Sequence, residues 1–206
     1  ITNSGLRYLL LGNGTRDQFL STTTFNNTGS YRIYFAFSHA GQTTEFASDL
    51  ILNTNKSGGT DQWSYLVAEG ANTGISVAGD LTINCAGTIQ SNHRFLTGGG
   101  SVGTFAGLTI NLTNSSPSTT ISMGENGTST YSGNISVGNS GGAGGITFNA
   151  NAAASSTLNG SITSGVFSSG SLNLYRFTQA GAFPQTLTLT NNGTILRLGP
   201  NSSFDG

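Results

Sequence analysis

Charge is scarce in this chain. Only 7% of its 206 residues are Asp, Glu, Lys or Arg, against roughly 25% in an average soluble domain. A net charge of −1 and a single lysine leave no electrostatic footprint for nucleic acid or an anionic membrane, so neither is an expected partner. Cys85 is the one cysteine, which excludes an intrachain disulfide and leaves the redox compartment open. No run of about eighteen apolar residues occurs, so no membrane insertion is expected. The opening residues, ITNSGLRYLLLGNG, carry neither a basic leader nor an initiator Met; they read as mature sequence with any signal peptide removed. Proline is sparse too. Pro184 precedes the strand-like QTLTLT and Pro200 follows the last strand-like phrase, and proline is tolerated at strand ends.

Gly, Ser, Thr and Asn fill the space left by charge, together with nineteen aromatics. Disordered chains combine high net charge with few aromatic and β-branched residues, so this chain is expected to fold. Its length suits one sizeable core and one continuous domain.

The chain repeats itself. The phrases VAGDLTI (77–83), FAGLTI (105–110), YSGNISV (131–137), LNGSIT (158–163) and FPQTLTL (183–189) share one pattern. An apolar residue opens each phrase, glycine usually follows two positions later, and apolar and polar residues then alternate. The first apolar residues after that slot are Leu81, Leu108, Ile135, Ile162 and Leu187, at spacings of 27, 27, 27 and 25. FASDLIL (46–52) fits one step earlier, at a spacing of 31 from Leu50 to Leu81. A second series, TISM (120–123), GITFNA (145–150), GSLNLY (170–175) and GTILRL (193–198), lies between the first phrases. Each repeat therefore holds at least two short strands separated by Gly, Asn and Ser turns.

A period near 27 residues is too short for a propeller blade of about 40 and lacks the asparagine ladder of leucine-rich repeats. It fits an all-β parallel β-helix, a β-solenoid with coils stacked about 4.8 Å apart. Leu81, Leu108, Ile135, Ile162 and Leu187 are the expected core ladder, and Gly79, Gly107, Gly133 and Gly160 the expected stacked corner. Uncharged outward residues avoid like-charge repulsion between coils, which gives the low charge a physical cause.

Residues 1–70 differ from the rest. Ten of the nineteen aromatics fall within residues 1–65, and the region reads as an aromatic-rich cap or first coils, followed by solenoid repeats over 71–206. TTEFASDLIL is open to a short-helix reading, with Thr44 as cap and Phe46 and Leu50 on one face. At the other end, GTILRLG is followed only by PNSSFDG. A strand-rich coil left uncovered invites pairing with another chain, as a polymer or as part of something longer.

TSTYSGNISVG (128–138) and GGITFNANAAASSTLNGSITSG (144–165) resemble the autotransporter-associated β-strand repeat of bacterial passenger regions, and GTILRLG (193–199) resembles its closing strand. The resemblance spans residues 75–199. It implies a right-handed parallel β-helix, export to the cell surface, and an adhesive or scaffolding role. The chain departs from that pattern in having one glycine, not two, after the aromatic, and in its first 70 residues.

Candidate chemistry is thin. Polysaccharide-cleaving β-helices place several carboxylates on one face; here only Asp49 and Asp80 share a repeat phase. His39 and His93 stand far apart with no ligand cluster beside them, so no metal site or cofactor is expected. Cys85 continues the inward series Leu81, Ile83, Cys85 and reads as a buried, inert thiol. Trp63 and Tyr65, in DQWSYL, are candidate glycan contacts. Ten sequons are candidate glycosylation sites: Asn13, Asn26, Asn55, Asn111, Asn114, Asn126, Asn134, Asn159, Asn192 and Asn201. The expectation is an extracellular structural protein that associates with itself head to tail, or with neighbouring segments of a longer surface protein. It is not expected to be an enzyme. A carbohydrate-binding adhesin segment is the alternative, and a polysaccharide-cleaving enzyme the third reading.

Overall fold

The computed structural model describes residues 1–5, 7–12, 16–36, 41–179, 187–190 and 195–199. His39, Pro184, Pro200, Asn13, Asn192 and Asn201 lie outside the described residues.

The described residues form 21 strands and no helix. The strands fall into three ladders, visited in turn by each coil. The first ladder contains β3 (Gln18–Phe19), β6 (Thr43–Phe46), β13 (Thr128–Tyr131), β16 (Ser155–Leu158) and β19 (Phe177–Gln179). The second contains β1 (Thr2–Asn3), β4 (Thr23–Asn27), β7 (Leu50–Lys56), β14 (Ile135–Asn139), β17 (Ile162–Phe167) and β20 (Leu187–Leu189). Two long strands, β9 (Gly74–Gly87) and β11 (Val102–Leu112), run through both and join them into one 13-stranded sheet. The third ladder is an 8-stranded sheet: β2 (Leu9–Leu10), β5 (Ile33–Phe35), β8 (Trp63–Val67), β10 (Asn92–Phe95), β12 (Thr120–Met123), β15 (Gly145–Phe148), β18 (Ser171–Leu174) and β21 (Ile195–Leu198). Neighbouring strands pair in parallel, coil upon coil. The chain is a parallel β-solenoid.

Register follows the sequence period. Leu50, Leu81, Leu108, Ile135, Ile162 and Leu187 are consecutive partners in the second ladder, and the first five are at most 2% exposed. Burying such side chains contributes about 1.5–3 kcal/mol each. Strands β1 to β8, which hold the described strand residues of the first 70, belong to the same two sheets as the later coils. Their interior is filled by rings: Phe19 stacks on Phe46 at 4.6 Å, Phe25 meets Phe35 edge-on at 4.6 Å, and Phe35 stacks on Tyr65 at 6.0 Å.

The helix reading of TTEFASDLIL is overturned. Thr43–Phe46 and Leu50–Lys56 are strands β6 and β7, and Thr44 is a buried β6 residue in register with Ile75 of β9. Phe46 and Leu50 satisfy a helical spacing and two separate period-two runs alike, and pairing with Val77 and Leu81 decides for the strands.

The glycine corner is partly a single column. A Cβ on Gly160 would run into the Gly133 carbonyl oxygen. Lower down, the register shifts between Phe105 and Gly107, so Gly107 stands opposite Asp80 and not Gly79. A second corner, where the third ladder turns into the first, is more regular. A left-handed residue follows each third-ladder strand from β2 to β18: Gly12, Ala36, Ala68, Leu96, Gly124, Asn149 and Arg176, with φ between 50° and 70°. Non-glycine residues adopt this conformation at a cost of roughly 1–2 kcal/mol. Burial of Ala36, Ala68 and Leu96 in the core offsets it.

Candidate functional site

The exposed large apolar side chains gather at the two ends of the stack. Ile1, Tyr8, Leu10 and Leu20 lie on or beside the first strands, Leu20 being 82% exposed, and Ile195 and Leu198 lie on β21. Val102 is the one such residue elsewhere among the described residues. Beside Leu20 runs a groove of about 140 Å³, walled by Gln18, Glu45, Ala47, Ser76 and Ala78. No further strand among the described residues covers the outer edges of β2 and β21. A strand edge left uncovered beside apolar side chains favours strand addition.

Asp49 and Asp80 do meet on adjacent coils, but as structure. The Asp80 backbone N–H donates to Asp49 Oδ1 at 2.9 Å, so the carboxylate caps the corner. Neither residue forms an ion pair among the described residues.

Trp63 and Tyr65 part company. Trp63 sits half-buried on the outside of β8, with the Arg94 guanidinium 5.0 Å from its ring centre and Glu125 paired to that Arg94. Tyr65 points into the core, fully buried, and its hydroxyl donates to the carbonyls of Phe25 and Asn53. The expected glycan-facing pair is therefore a single surface residue already covered by an arginine. Strict alternation would put both on one face; the extra residue in β8 at the Asn92/His93 register shift turns them apart.

The sequence reading missed a buried polar group in the same coils. Lys56, the only lysine, is fully buried, and its Nζ donates to the carbonyls of Asp61 at 3.1 Å and Trp63 at 2.9 Å. Burial lowers its pKa. Cys85 is buried and donates to the Ser91 carbonyl at 3.6 Å; burial pushes its thiol up to about 12, against a smaller downward pull from Lys56. His93 lies at 0% exposure against the Tyr65 ring, with neither nitrogen partnered. Desolvation, helped by the Lys56 charge, lowers its pKa to about 3, so the imidazole is neutral. The clue lay in register: Lys56 and His93 occupy inward positions of the period-two pattern. Among the described residues no three His, Cys, Asp or Glu side chains converge on a metal position.

Seven sequons can be placed. Asn55, Asn111, Asn134 and Asn159 are exposed, and Asn26 and Asn126 are half-buried. Asn114 is fully buried, its amide donating to Ala86 and Ile89 carbonyls and accepting from Ser116 and Thr119. Its amide nitrogen is buried and already hydrogen-bonded in the folded chain.

Among the described residues no helix is long and apolar enough to cross a membrane. No protein-family model matches the chain, and no curated protein or solved structure matches it.

Proposed function

We propose that the protein is an extracellular structural β-solenoid that assembles head to tail. The last coils of one copy dock on the first coils of the next. The observation that carries this reading is the concentration of exposed apolar side chains at both ends of the stack, with Leu20 at 82% and Ile195 at 54%. Parallel stacking gives the two ends different edges of the same repeat, so the contact is heterologous and propagates instead of closing. The resemblance of residues 75–199 to passenger-region repeats supports a place outside the cell. In this reading the chain is not an enzyme, and its extended surface, not a reaction centre, is the functional unit.

Light scattering after size exclusion, with electron microscopy, tests the proposal. Concentration-dependent filaments or oligomers are expected, and Leu20→Lys and Ile195→Lys are each expected to reduce them while circular dichroism stays unchanged. A monodisperse monomer at all concentrations would sink the idea.

A further inference from the structure

The outward positions of the second ladder carry a row of asparagines. Asn26, Asn53, Asn84 and Asn111 share one register position on four consecutive coils. Asn53 Nδ2 donates to Asn26 Oδ1 at 2.8 Å, Asn84 Nδ2 to Asn53 Oδ1 at 2.9 Å, and Asn111 Nδ2 to Asn84 Oδ1 at 2.8 Å. All three bonds run the same way, so each polarises the next and strengthens the acceptor at the open end. That acceptor is Asn111 Oδ1, which no donor among the described residues reaches.

The row stops because the next coils offer glycine. Gly138 is the register partner of Asn111, and Gly165 lies on β17 above it. The result is a groove of about 240 Å³ walled by Asn111, Thr113, Ser136, Gly138, Ser140 and Gly165. Glycine at 165 is not demanded by the fold. A Cβ there would sit at ordinary contact distance, 3.6 Å from the Val137 carbonyl oxygen and 4.0 Å from Gly138 Cα, and φ lies outside the left-handed region. Its missing side chain keeps the groove open.

We propose that this groove binds the acetamido group of an N-acetylated amino sugar in a polysaccharide, the ligand's amide N–H donating to Asn111 Oδ1. Coils are about 4.8 Å apart, so a planar amide seated over Gly138 becomes the next member of the row. The surrounding Thr113, Ser136 and Ser140 hydroxyls match the hydroxyls of a sugar ring. No charged side chain lines the groove, which selects for a neutral ligand. Its volume is below the roughly 300–1,000 Å³ of drug-sized sites, so it takes one sugar residue of the polymer. The site is distinct from Trp63 and does not depend on head-to-tail assembly.

Saturation-transfer NMR with N-acetylglucosamine oligomers tests this, with glucosamine and glucose oligomers in parallel. Transfer to the acetyl methyl is expected, with binding weakened about tenfold when the acetyl group is missing, the equivalent of one hydrogen bond. Gly165→Asn, which fills the groove, is expected to abolish transfer, and Asn111→Val, which removes the acceptor, to weaken binding by the same tenfold, both with circular dichroism unchanged. No transfer to the wild-type chain, equal binding of the deacetylated oligomer, or full binding by both variants would overturn the proposal. Self-association abolished by Gly165→Asn, without sugar binding, would assign the groove to an amide of a second copy and overturn it equally.

Discussion

The coils up to about Glu125 and the coils after it share one backbone and differ in how they are held. Both regions bury aromatic rings among aliphatic side chains, but in the earlier coils ion pairs also link one coil to the next. Arg32 makes a bidentate pair with Asp61, both bonds at 2.7 Å, and Arg94 pairs with Glu125. Two effects compete at the Arg32 guanidinium: desolvation by burial pulls its pKa down, and the Asp61 hydrogen bond and charge raise it to a net increase. Among the described residues no ion pair links the later coils; there the Arg176 guanidinium donates to the Ala154 carbonyl at 2.9 Å, and hydroxyl and amide groups supply further links. Ser129 and Ser156 hydroxyls bond at 2.6 Å, Asn173 donates to Thr147 at 2.9 Å, and Asn149 donates to the Tyr175 carbonyl at 2.6 Å. A solenoid tolerates this division because each coil contacts only its neighbours, so stability is a sum of local terms. The lesson is that the fold needs a filled interior and satisfied coil-to-coil bonds, and is indifferent to which chemistry supplies them.

The largest expected effects come from the core. Phe35→Ala should cost about 3–5 kcal/mol and Ile162→Ala about 2–5 kcal/mol, read by denaturant unfolding. Equal losses would show that the ring cluster around Phe35 holds no tighter than the aliphatic ladder at Ile162. Hydrogen exchange should place the loosened amides on the side of the substitution, because the effect is local.

Acid is expected to separate the two regions next. The folded His93 value of about 3 lies below its ordinary 6.5, so between those values the unfolded chain binds more protons than the folded one. Its contribution is fully present above about pH 6.5 and is lost as pH falls toward 3. Lys56, also lowered by burial, acts with the same sign at higher pH. Tyr65 and Cys85 beside them are raised and stay neutral throughout this window. Exchange measured from pH 7 to pH 4 should therefore show β7, β8 and β10 opening before β15 to β18. His93→Phe should remove that slope, and an unchanged slope would assign acid sensitivity elsewhere.

The smallest effect concerns salt. The Arg94–Glu125 pair should contribute about 0.2–1 kcal/mol and weaken in molar salt. The hydroxyl and amide bonds of the later coils should not respond. A double-mutant cycle at low and high salt measures this, and a salt-independent coupling would contradict a screened surface pair.

Much of the architecture was legible in the residues themselves. The spacing of Leu81, Leu108, Ile135 and Ile162 announced the register because a ladder side chain must recur once per coil. The same arithmetic was available for Asn26, Asn53, Asn84 and Asn111, whose spacings of 27, 31 and 27 repeat those of the leucines, yet polar residues draw less notice than apolar ones. The segment from Thr43 to Leu50 stayed ambiguous because short apolar spacings fit two periods.

Alternation and period, carried by side-chain volume and polarity along the chain, were enough to determine a parallel β-solenoid and its core ladder. Tertiary structure alone decided that Tyr65 is core, that Lys56 and His93 share the buried interior, that Asn114 is sealed in a corner, and that an amide row ends over glycine. Those outcomes depend on register shifts and corner geometry set by neighbouring coils, and interactions between residues far apart in sequence leave no local mark in it.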